Sequence, residues 1–428
     1  MSLPLTEFFK RLFIYLSLRP FGEKYHKSSF GINMILRTTI LIFFFLIILL
    51  TQSACPDNPK ETECGENQVE VNGTCECADG YHWNDDQTQC KLDTTSHNFV
   101  WEIDTLGDYG SYLNDVAIID ENNVWVVGQI IVDDPDSSFN GTGREKFNAA
   151  HWDGSEWELI RIAPTPYLYG VYYSVYAFNT NDVWFGGSIV VHFNGNKFTP
   201  YGSLEGFPGG FYVNKVWGTS SSDLYFVGGN GNIVHYDGSD FRLMESGTET
   251  GIINIWGLDG QHIWAVTYQN NANGIINEVL FYNGNEWTTK FNKSEDNWPP
   301  VDYTKPSGTF RSVWVYGDTV YISCASLYKE SIKTGEGILV PLEEMHWQLG
   351  WGTGNVRGRN YNDIVVTTSF GSEVSHFNGK NWKFYEELDA FDIYDRITSY
   401  GLAMKNDLIV IVGEDITTGK AVVYRGDR

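Results

Sequence analysis

The sequence predicts an all-β fold in which one four-stranded unit repeats, and two observations lead to this prediction. Short runs rich in β-branched and aromatic residues alternate with turn residues, a pattern typical of strands and not of helices. One turn also recurs at a nearly constant interval, with its glycines at Gly154, Gly195, Gly238 and Gly284. Four strands in each period of about 40–50 residues are typical of a β-propeller.

Residues Asn214–Glu245 display the unit most clearly. Its expected strands lie within Asn214–Gly218, Ser222–Gly228 and Ile233–Tyr236, with a fourth that begins at Phe241. The pair Asp237-Gly238 separates the third strand from the fourth. A tight turn is expected there, because both central residues of such a turn need a positive φ. The unit is therefore predicted to be a four-stranded antiparallel meander.

Counting the units predicts seven blades. Five units have the clear hairpin, and a sixth, Arg311–Gln348, is degenerate, with its last strand expected near His346-Trp347. The seventh, Ile397–Arg428, ends without a fourth strand, whereas Phe99–Ile103 has the pattern of a fourth strand and precedes the first complete unit. Because an open ring would leave unpaired strand edges, this N-terminal strand is predicted to complete the seventh blade.

The N-terminus is interpreted as an export signal. Eleven apolar residues, Ile40–Leu50, follow Arg37 and precede Ser53-Ala54-Cys55. A helix needs about 20 apolar residues to span a bilayer, whereas the centre of a secretory signal is shorter. The run ending at Cys55 resembles a bacterial lipoprotein signal, which implies that residues 34–54 are removed and that Cys55 carries lipid. Secretion with Cys55 in a disulfide and a signal anchor are the alternatives, and residues 1–33 are interpreted as an extension before a true start at Met34.

The charge balance bears on possible partners. The chain has a formal charge of −25, and residues 1–54 contain six basic and two acidic side chains. The mature chain would therefore be still more acidic, which disfavours nucleic acid and anionic membrane surfaces as partners. The protein is expected to be exported and held on the extracytoplasmic side of a membrane, periplasmic or cell-surface, by its N-terminal lipid.

A small cysteine-rich module is predicted over residues 55–96, before the propeller at residues 97–428. It contains Cys64, Cys75, Cys77 and Cys90. Such a density in an exported chain is typical of disulfides, three pairings are possible, and a zinc site is the alternative. The stretch from Cys75 through Gly80-Tyr81 to Cys90 resembles the C-terminal half of an EGF-like domain. That resemblance implies the pairs Cys77–Cys90 and Cys64–Cys75 in a disulfide-stapled spacer.

Ligand binding is predicted at the mouth of the central channel, where propellers use their loops. Several of these loops are long and aromatic, which suits stacking on a sugar or holding a peptide. A glycan, peptide or protein ligand is therefore expected, and packing of the loop aromatics on one another is the alternative. The residues predicted to bind it are Tyr169, Tyr172, Phe211, Tyr212, Trp298, Tyr303, Arg311, Trp351 and Arg357.

Catalysis is the competing hypothesis. The Asp-Gly-x-x-Trp turn is similar to the Asp-box repeats of sialidases and, more loosely, to WD-like propeller repeats. The similarity to the Asp-box repeats implies a glycoside hydrolase that uses rim carboxylates and an arginine cluster. Arg311, Arg357 and Arg396 would have to form that cluster. No motif around these arginines supports a catalytic site, so no catalytic residue is assigned. The whole chain resembles bacterial exported propeller-repeat lipoproteins, and a binding or scaffolding role is preferred.

Metal sites and reactive thiols are predicted to play little part. Four histidines occupy equivalent third-strand positions of different units and are expected to pack or hydrogen-bond within their own blades: His151, His192, His235 and His376. Asp133, Asp134 and Asp136 could supply oxygen ligands to calcium, with a solvated acidic loop as the alternative. No other cofactor is expected. Cys324, in a strand-like run, is predicted to be a buried thiol.

Overall fold

A computed structural model describes residues 64–428 with gaps at 79, 85–86, 137–142, 164–169, 203–205, 272–273, 296–303, 342–351, 369–372 and 389–396. The described residues belong to two compact units. One contains Cys64, Gly65 and Glu70–Cys75, and the other contains Glu66–Val69 and Glu76–Arg428. Among them, no helix is both long and apolar enough to cross a bilayer.

The larger unit contains the predicted seven-bladed propeller. Blade one consists of Tyr112–Asp120, Asn123–Asp133, Arg144–Trp152 and Trp157–Ile160. Blade two consists of Tyr172–Asn179, Asp182–Gly187, Val190–Phe193 and Phe198–Tyr201. Blade three consists of Val213–Ser220, Asp223–Gly228, Ile233–Tyr236 and Phe241–Met244. Blade four consists of Ile252–Asp259, His262–Thr267, Gly274–Tyr282 and Trp287–Glu295, with a short extra strand, Gln269–Asn271. Blade five consists of Ser312–Tyr316, Thr319–Ser323, Leu327–Ser331 and Gly337–Val340. Blade six consists of Thr353–Asn360, Asp363–Thr368, Val374–Phe377 and Trp382–Phe384. Short 3-10 turns lie at Gly229–Gly231 and Glu386–Leu388.

The N-terminal strand closes the ring, as predicted. Blade seven consists of Ile397–Lys405, Leu408–Asp415, Lys420–Asp427 and, from the opposite end of the chain, Val100–Leu106. The last two strands pair antiparallel, with Leu106 opposite Ala421 and Val100 opposite Asp427. First strands of neighbouring blades contact one another all around the ring. They therefore form the wall of a central channel.

The second strands form most of the core. All six residues of Asp182–Gly187 are buried, and so are all six of Asp363–Thr368. Blades pack face to face, so these strands are covered on both sides. Strands covered on both sides are expected to be continuously apolar instead of alternating, which explains why runs such as Val183–Phe185 identify the repeat.

Two local predictions were wrong. The last strand of blade five is Gly337–Val340, earlier than the expected position near residues 346–347, which lie outside the described residues. The Asp237-Gly238 turn is a four-residue loop, because Tyr236 pairs with Phe241. Only the glycine has a positive φ, of 93°. The carboxylate of Asp237 closes the loop by accepting the amides of Ser239 and Asp240 at 3.0 and 2.9 Å, as aspartate often does in turns.

Both disulfides implied by the EGF-like resemblance are present. Cys64–Cys75 lies in the smaller unit and Cys77–Cys90 in the larger one. The strands of this region are Gln68–Val71, Thr74–Cys77, Tyr81–Trp83 and Cys90–Leu92, the last two paired antiparallel.

The segment after Cys90 is docked on blade six and is more than a spacer. The amide of Thr95 donates to the carbonyl of Asn378 at 3.1 Å, and its hydroxyl donates to the carbonyl of Asn362 at 2.8 Å. Gly80 lies so close to the ring of Tyr361 that a Cβ atom there would approach it to 2.1 Å. The loop that contains Gly80 and the segment after Cys90 therefore both pack on the propeller within the larger unit.

The four repeat histidines are held inside their own blades, as predicted. Each places Nε2 at 2.7–2.9 Å from the first residue of the second strand, in the pairs His151–Asn123, His192–Asp182, His235–Asp223 and His376–Asp363. The acceptors also reach the following blade: Ser221 donates to Asp182, and Asn123 donates to Thr180 at 2.8 Å. These side chains therefore join strands and blades and are spread around the ring.

Candidate ligand-binding site in the central channel

Each of the seven first strands has one residue at the same position relative to the second strand. These seven residues form a mostly polar ring around the channel. In every blade this residue directly precedes a buried apolar residue that pairs with the second strand, such as Val216 opposite Phe226. We call these residues the polar ring: Asp115, Ser174, Lys215, Asn254, Ser312, Asn355 and Gly401. Six of the seven are polar, so the channel wall differs from the apolar blade core.

The polar ring satisfies backbone amides of the innermost strands. The inner edge of a first strand has no strand partner, so its N–H groups need other acceptors. Asp115 Oδ2 accepts the amide of Val175 at 3.0 Å, in the next blade. Ser174 Oγ accepts the amide of Val216 at 3.0 Å, and Asn254 Oδ1 accepts that of Val313 at 3.3 Å. Each contact joins one blade to the next and positions the channel wall.

A buried ion pair links blades one and three. Lys215 Nζ lies 2.6 Å from Asp115 Oδ1, and the Asp115 side chain is 2% exposed. Ser174 also donates to this carboxylate at 2.8 Å. Burial lowers the pKa of Lys215, while Asp115 opposes that change. The pair is therefore held in a largely desolvated part of the channel.

Arg357 supplies a second buried cation, two positions beyond the polar-ring residue Asn355 in blade six. Its Nη1 donates to Ser312 Oγ at 2.8 Å and to the carbonyl oxygens of Val313 and Val356 at 3.1 and 2.7 Å. Its guanidinium lies 4.5 Å from the ring centroid of Trp256, a cation–π arrangement. Burial lowers the pKa of Arg357 to about 10, so the group is charged at neutral pH.

A cavity of about 200 Å³ lies beside these cations. Its polar and aromatic lining residues are Tyr176, Lys215, Trp256, Arg357 and Lys405. The Tyr176 hydroxyl donates to the carbonyl of Gly218 at 2.8 Å, and burial raises its pKa to about 12, so it stays protonated. Aromatic faces beside cations can hold a ligand that is partly flat and partly anionic.

The structure brings one of the predicted ligand-binding residues, Arg357, into this cavity. Tyr212 is 55% exposed, and Arg311 is also exposed, with its guanidinium 5.8 Å from the ring centroid of Tyr268. Arg311 is outside the cavity lining. Tyr169, Trp298, Tyr303, Trp351 and Arg396 lie outside the described residues, and so does Cys55.

Two predicted rim residues belong instead to the core. Tyr172 is 1% exposed and packs against Phe185, with ring centroids 5.7 Å apart. Phe211 is 7% exposed and packs near Phe207 at 6.1 Å. Both lie at or just before the start of a first strand, where their rings fill space between blades. Their placement on a solvent-facing rim is therefore corrected.

Sequence reasoning missed five cavity or channel residues: Asp115, Tyr176, Lys215, Trp256 and Lys405. Alignment of the first strands on their buried apolar residue would have identified the polar ring as one repeated position. It would not have shown that Lys215 pairs with a residue 100 positions earlier.

The acidic loop and the free cysteine have ordinary structural contacts. Asp133 pairs with Arg144 at 2.7 Å, and Asp134 accepts the amide of Asp136 at 3.0 Å. Within the described part of the chain, no group of three histidine, cysteine, aspartate or glutamate side chains is arranged to hold a metal ion. Cys324 is buried, as predicted, and burial raises the pKa of its thiol to about 11.

Solved structures with the same fold include both a peptide complex and an enzyme. The chain is similar to "YCF48 bound to D1 peptide", with a TM-score of 0.55 and 15% identity over 78% of this chain and 97% of that chain. It is similar to the WD40 propeller domain of Doa1, with a TM-score of 0.52 and 12% identity over 77% and 98%. It is also similar to virginiamycin B lyase from Staphylococcus aureus, with a TM-score of 0.50 and 12% identity over 76% and 99%.

These similarities establish the fold. No family model matches the chain, and a search of curated proteins finds no match. The chain is a seven-bladed β-propeller with a charged, aromatic channel cavity. Because one fold supports unrelated functions, the function has to be argued from the channel.

Proposed function

We propose that this protein is a membrane-anchored extracytoplasmic β-propeller that binds a peptide or protein ligand at its central channel. The observation that carries the proposal is the cavity in which Trp256 and Tyr176 lie beside the cations Lys215 and Arg357. Aromatic and arginine side chains dominate the energetics of protein recognition. The similarity to a propeller solved with a bound peptide supports a peptide over a glycan as the first ligand to test.

Export and anchoring rest on the N-terminal residues. An apolar run that ends in Ser53-Ala54-Cys55 supports lipid attachment at Cys55. The two disulfides support an oxidising compartment, because reducing compartments rarely permit them. The acidic surface leaves the lipid, and not a basic patch, as the means of attachment.

The peptide hypothesis is tested by panning the purified full chain against a random peptide display library. Recovered peptides are titrated against the wild-type protein, Lys405→Glu and Lys380→Glu. Lys405 is exposed and lines the cavity, whereas Lys380 is exposed in the outer turn of blade six. We expect Lys405→Glu to weaken binding at least fivefold and Lys380→Glu to leave it unchanged.

Two results would contradict this proposal. Recovery of no peptide beyond the number obtained with an unrelated acidic propeller would reject peptide binding, and a positive glycan array would then support a glycan ligand. Equal affinities for the two lysine variants would place binding away from the channel. The glycoside hydrolase hypothesis is supported only if a glycoside panel shows turnover that one carboxylate substitution abolishes.

A further inference from the structure

We infer that the channel cavity is a carboxylate-binding subsite in which Arg357 and Lys215, assisted by Lys405, hold one monoanionic group of the ligand. This inference deepens the proposed function and rests on it for the location of the ligand. It assigns the chemical group that enters the channel.

The charge balance of the cavity favours an anionic ligand. Lys215, Arg357 and Lys405 line it, and the carboxylate of Asp115 is paired with Lys215 at 2.6 Å. Among the residues that the structure describes, none provides a carboxylate within 4.0 Å of Arg357. Asp115 favours the charged form of both buried cations, but its single negative charge leaves one of their two positive charges uncompensated. Such a buried charge is costly, so an anion from outside would offset this cost. In a chain with a formal charge of −25, a cationic cavity runs against the overall composition.

Arg357 has N–H donors that no described residue uses. Its three hydrogen bonds all come from Nη1, and no described residue accepts from Nε or Nη2. A guanidinium has five N–H donors in a fixed plane, and a carboxylate can accept from two of its nitrogens at once. Stacking on Trp256 holds that plane. The side chain is therefore oriented before a ligand arrives.

The net charge and the apolar walls of the cavity favour a carboxylate over other anions. The buried charges are Lys215, Arg357 and Asp115, which together leave one net positive charge, while Lys405 is exposed to solvent. One net charge matches a monoanion better than a phosphate dianion. The cavity also has apolar walls, including Val116, Ala117 and Val175. Such walls suit a carboxylate on a short apolar or aromatic body.

The size of the cavity agrees with such a group. Since each molecule in liquid water occupies about 30 Å³, the cavity of about 200 Å³ has room for a small organic acid and not for a folded segment. Either a free small carboxylate or a carboxylate carried by a peptide would present this group. The two sources are separated by the experiment.

The test is isothermal titration of the full chain with sodium benzoate and with benzamide, its neutral counterpart. Arg357→Gln is compared with Arg311→Gln, because both arginines lie over an aromatic ring but only Arg357 lines the cavity. We expect benzoate to bind the wild type and Arg311→Gln equally and Arg357→Gln at least tenfold more weakly, with no heat from benzamide. Lys405→Gln, at an exposed position, serves as a second variant in case Arg357→Gln folds poorly, and a three- to fivefold loss is expected.

Three results would overturn the inference: benzamide binding as well as benzoate, equal benzoate affinity in the wild type and Lys405→Gln, or a preference for inorganic phosphate over benzoate. Peptides recovered by display are then titrated with a free and with an amidated C-terminus. A loss on amidation identifies a peptide terminus as the source of the carboxylate, and retained binding that benzoate still displaces identifies an acidic side chain.

The experiments distinguish failure of the carboxylate subsite from failure of peptide binding. If benzoate binds and depends on Arg357 but no peptide is recovered, the subsite is supported and peptide binding is rejected. If peptides bind while benzoate neither binds nor displaces them, peptide binding is supported and the carboxylate subsite is rejected.

Discussion

The side chains of His97 and His376 join the N-terminal segment to blade six. Burial disfavours the charged form of both. Their Nδ1 atoms lie 2.8 Å apart, and His376 Nε2 lies 2.7 Å from Asp363 Oδ1. Burial lowers the pKa of both histidines, and each is close to the positive charge of Arg428. Burial also opposes ionisation of Asp363, but hydrogen bonds from His376 and Arg428 outweigh it and lower its pKa to about 2.

We therefore expect stability to fall as the pH decreases below about 6.5. The unfolded histidines gain protons there, whereas the folded ones resist protonation until their lowered pKa is reached. Their contribution to stability is fully present above the histidine pKa of the unfolded chain. It is lost as the pH falls through the lower histidine pKa of the folded protein. Thermal melting of the wild type between pH 8 and 5 should show this decline.

His97→Gln should flatten that decline, because it removes one of the two coupled groups. His262→Gln is the control, since His262 is exposed and pairs with Asp259 away from blade six. Identical pH profiles for the wild type and His97→Gln would show that the histidine pair does not govern the acid sensitivity.

The strand Val100–Leu106 closes the ring, and its side chains are unevenly buried. Val100 is 72% exposed and Ile103 is 54% exposed, whereas Phe99 and Leu106 are buried. The fourth strand is the outermost of its blade, so part of each face is open to solvent. Its apolar contacts with the rest of the fold come from Phe99 and Trp101 near Tyr385 and from Leu106 opposite Ala421.

A chain that begins at Leu106 should melt at a much lower temperature than one that begins at His97. It loses Phe99, Trp101 and most of the pairing with Lys420–Asp427. Burying one large apolar side chain contributes about 1.5–3 kcal/mol, against a typical total stability of about 5–15 kcal/mol. Thermal melting followed by circular dichroism measures the difference.

The chain that begins at His97 should fold, with a modestly lower melting temperature than the chain without residues 1–54. It loses the contacts of Thr95 with blade six and the hydrogen bond from Arg428 to Ser96. Equal melting temperatures for the His97 and Leu106 chains would contradict the role assigned to this strand.

For the complete chain, we propose that a lipid on Cys55 holds the propeller at a membrane. We expect Cys55→Ser to move the protein from the membrane fraction to the soluble fraction, while Cys324→Ser leaves it in the membrane fraction. Mass spectrometry of the membrane fraction should find lipid on Cys55 and no peptide from residues 34–54. An unmodified Cys55, or an intact segment 34–54, would refute lipid anchoring.

The repeat pattern alone determined the fold class, the seven blades, the closing strand and the in-blade histidines. Each follows from local chemistry repeated at a regular spacing, because β-branched runs, turn glycines and a missing fourth strand can be recognised without knowing what lies opposite. Resemblance to an EGF-like segment supplied the two disulfides. Lipid attachment at Cys55 is still a prediction from its neighbouring residues.

Only the tertiary structure decided which side chains meet in the channel. Lys215 reaches Asp115 across a blade, and Arg357 stacks on Trp256 two blades away, because ring closure brings distant first strands around one axis. It also decided that Tyr172 is buried, since its ring packs against a neighbouring strand. A repeat specifies a position within its own blade, but the partner across the channel depends on the number and packing of all seven blades.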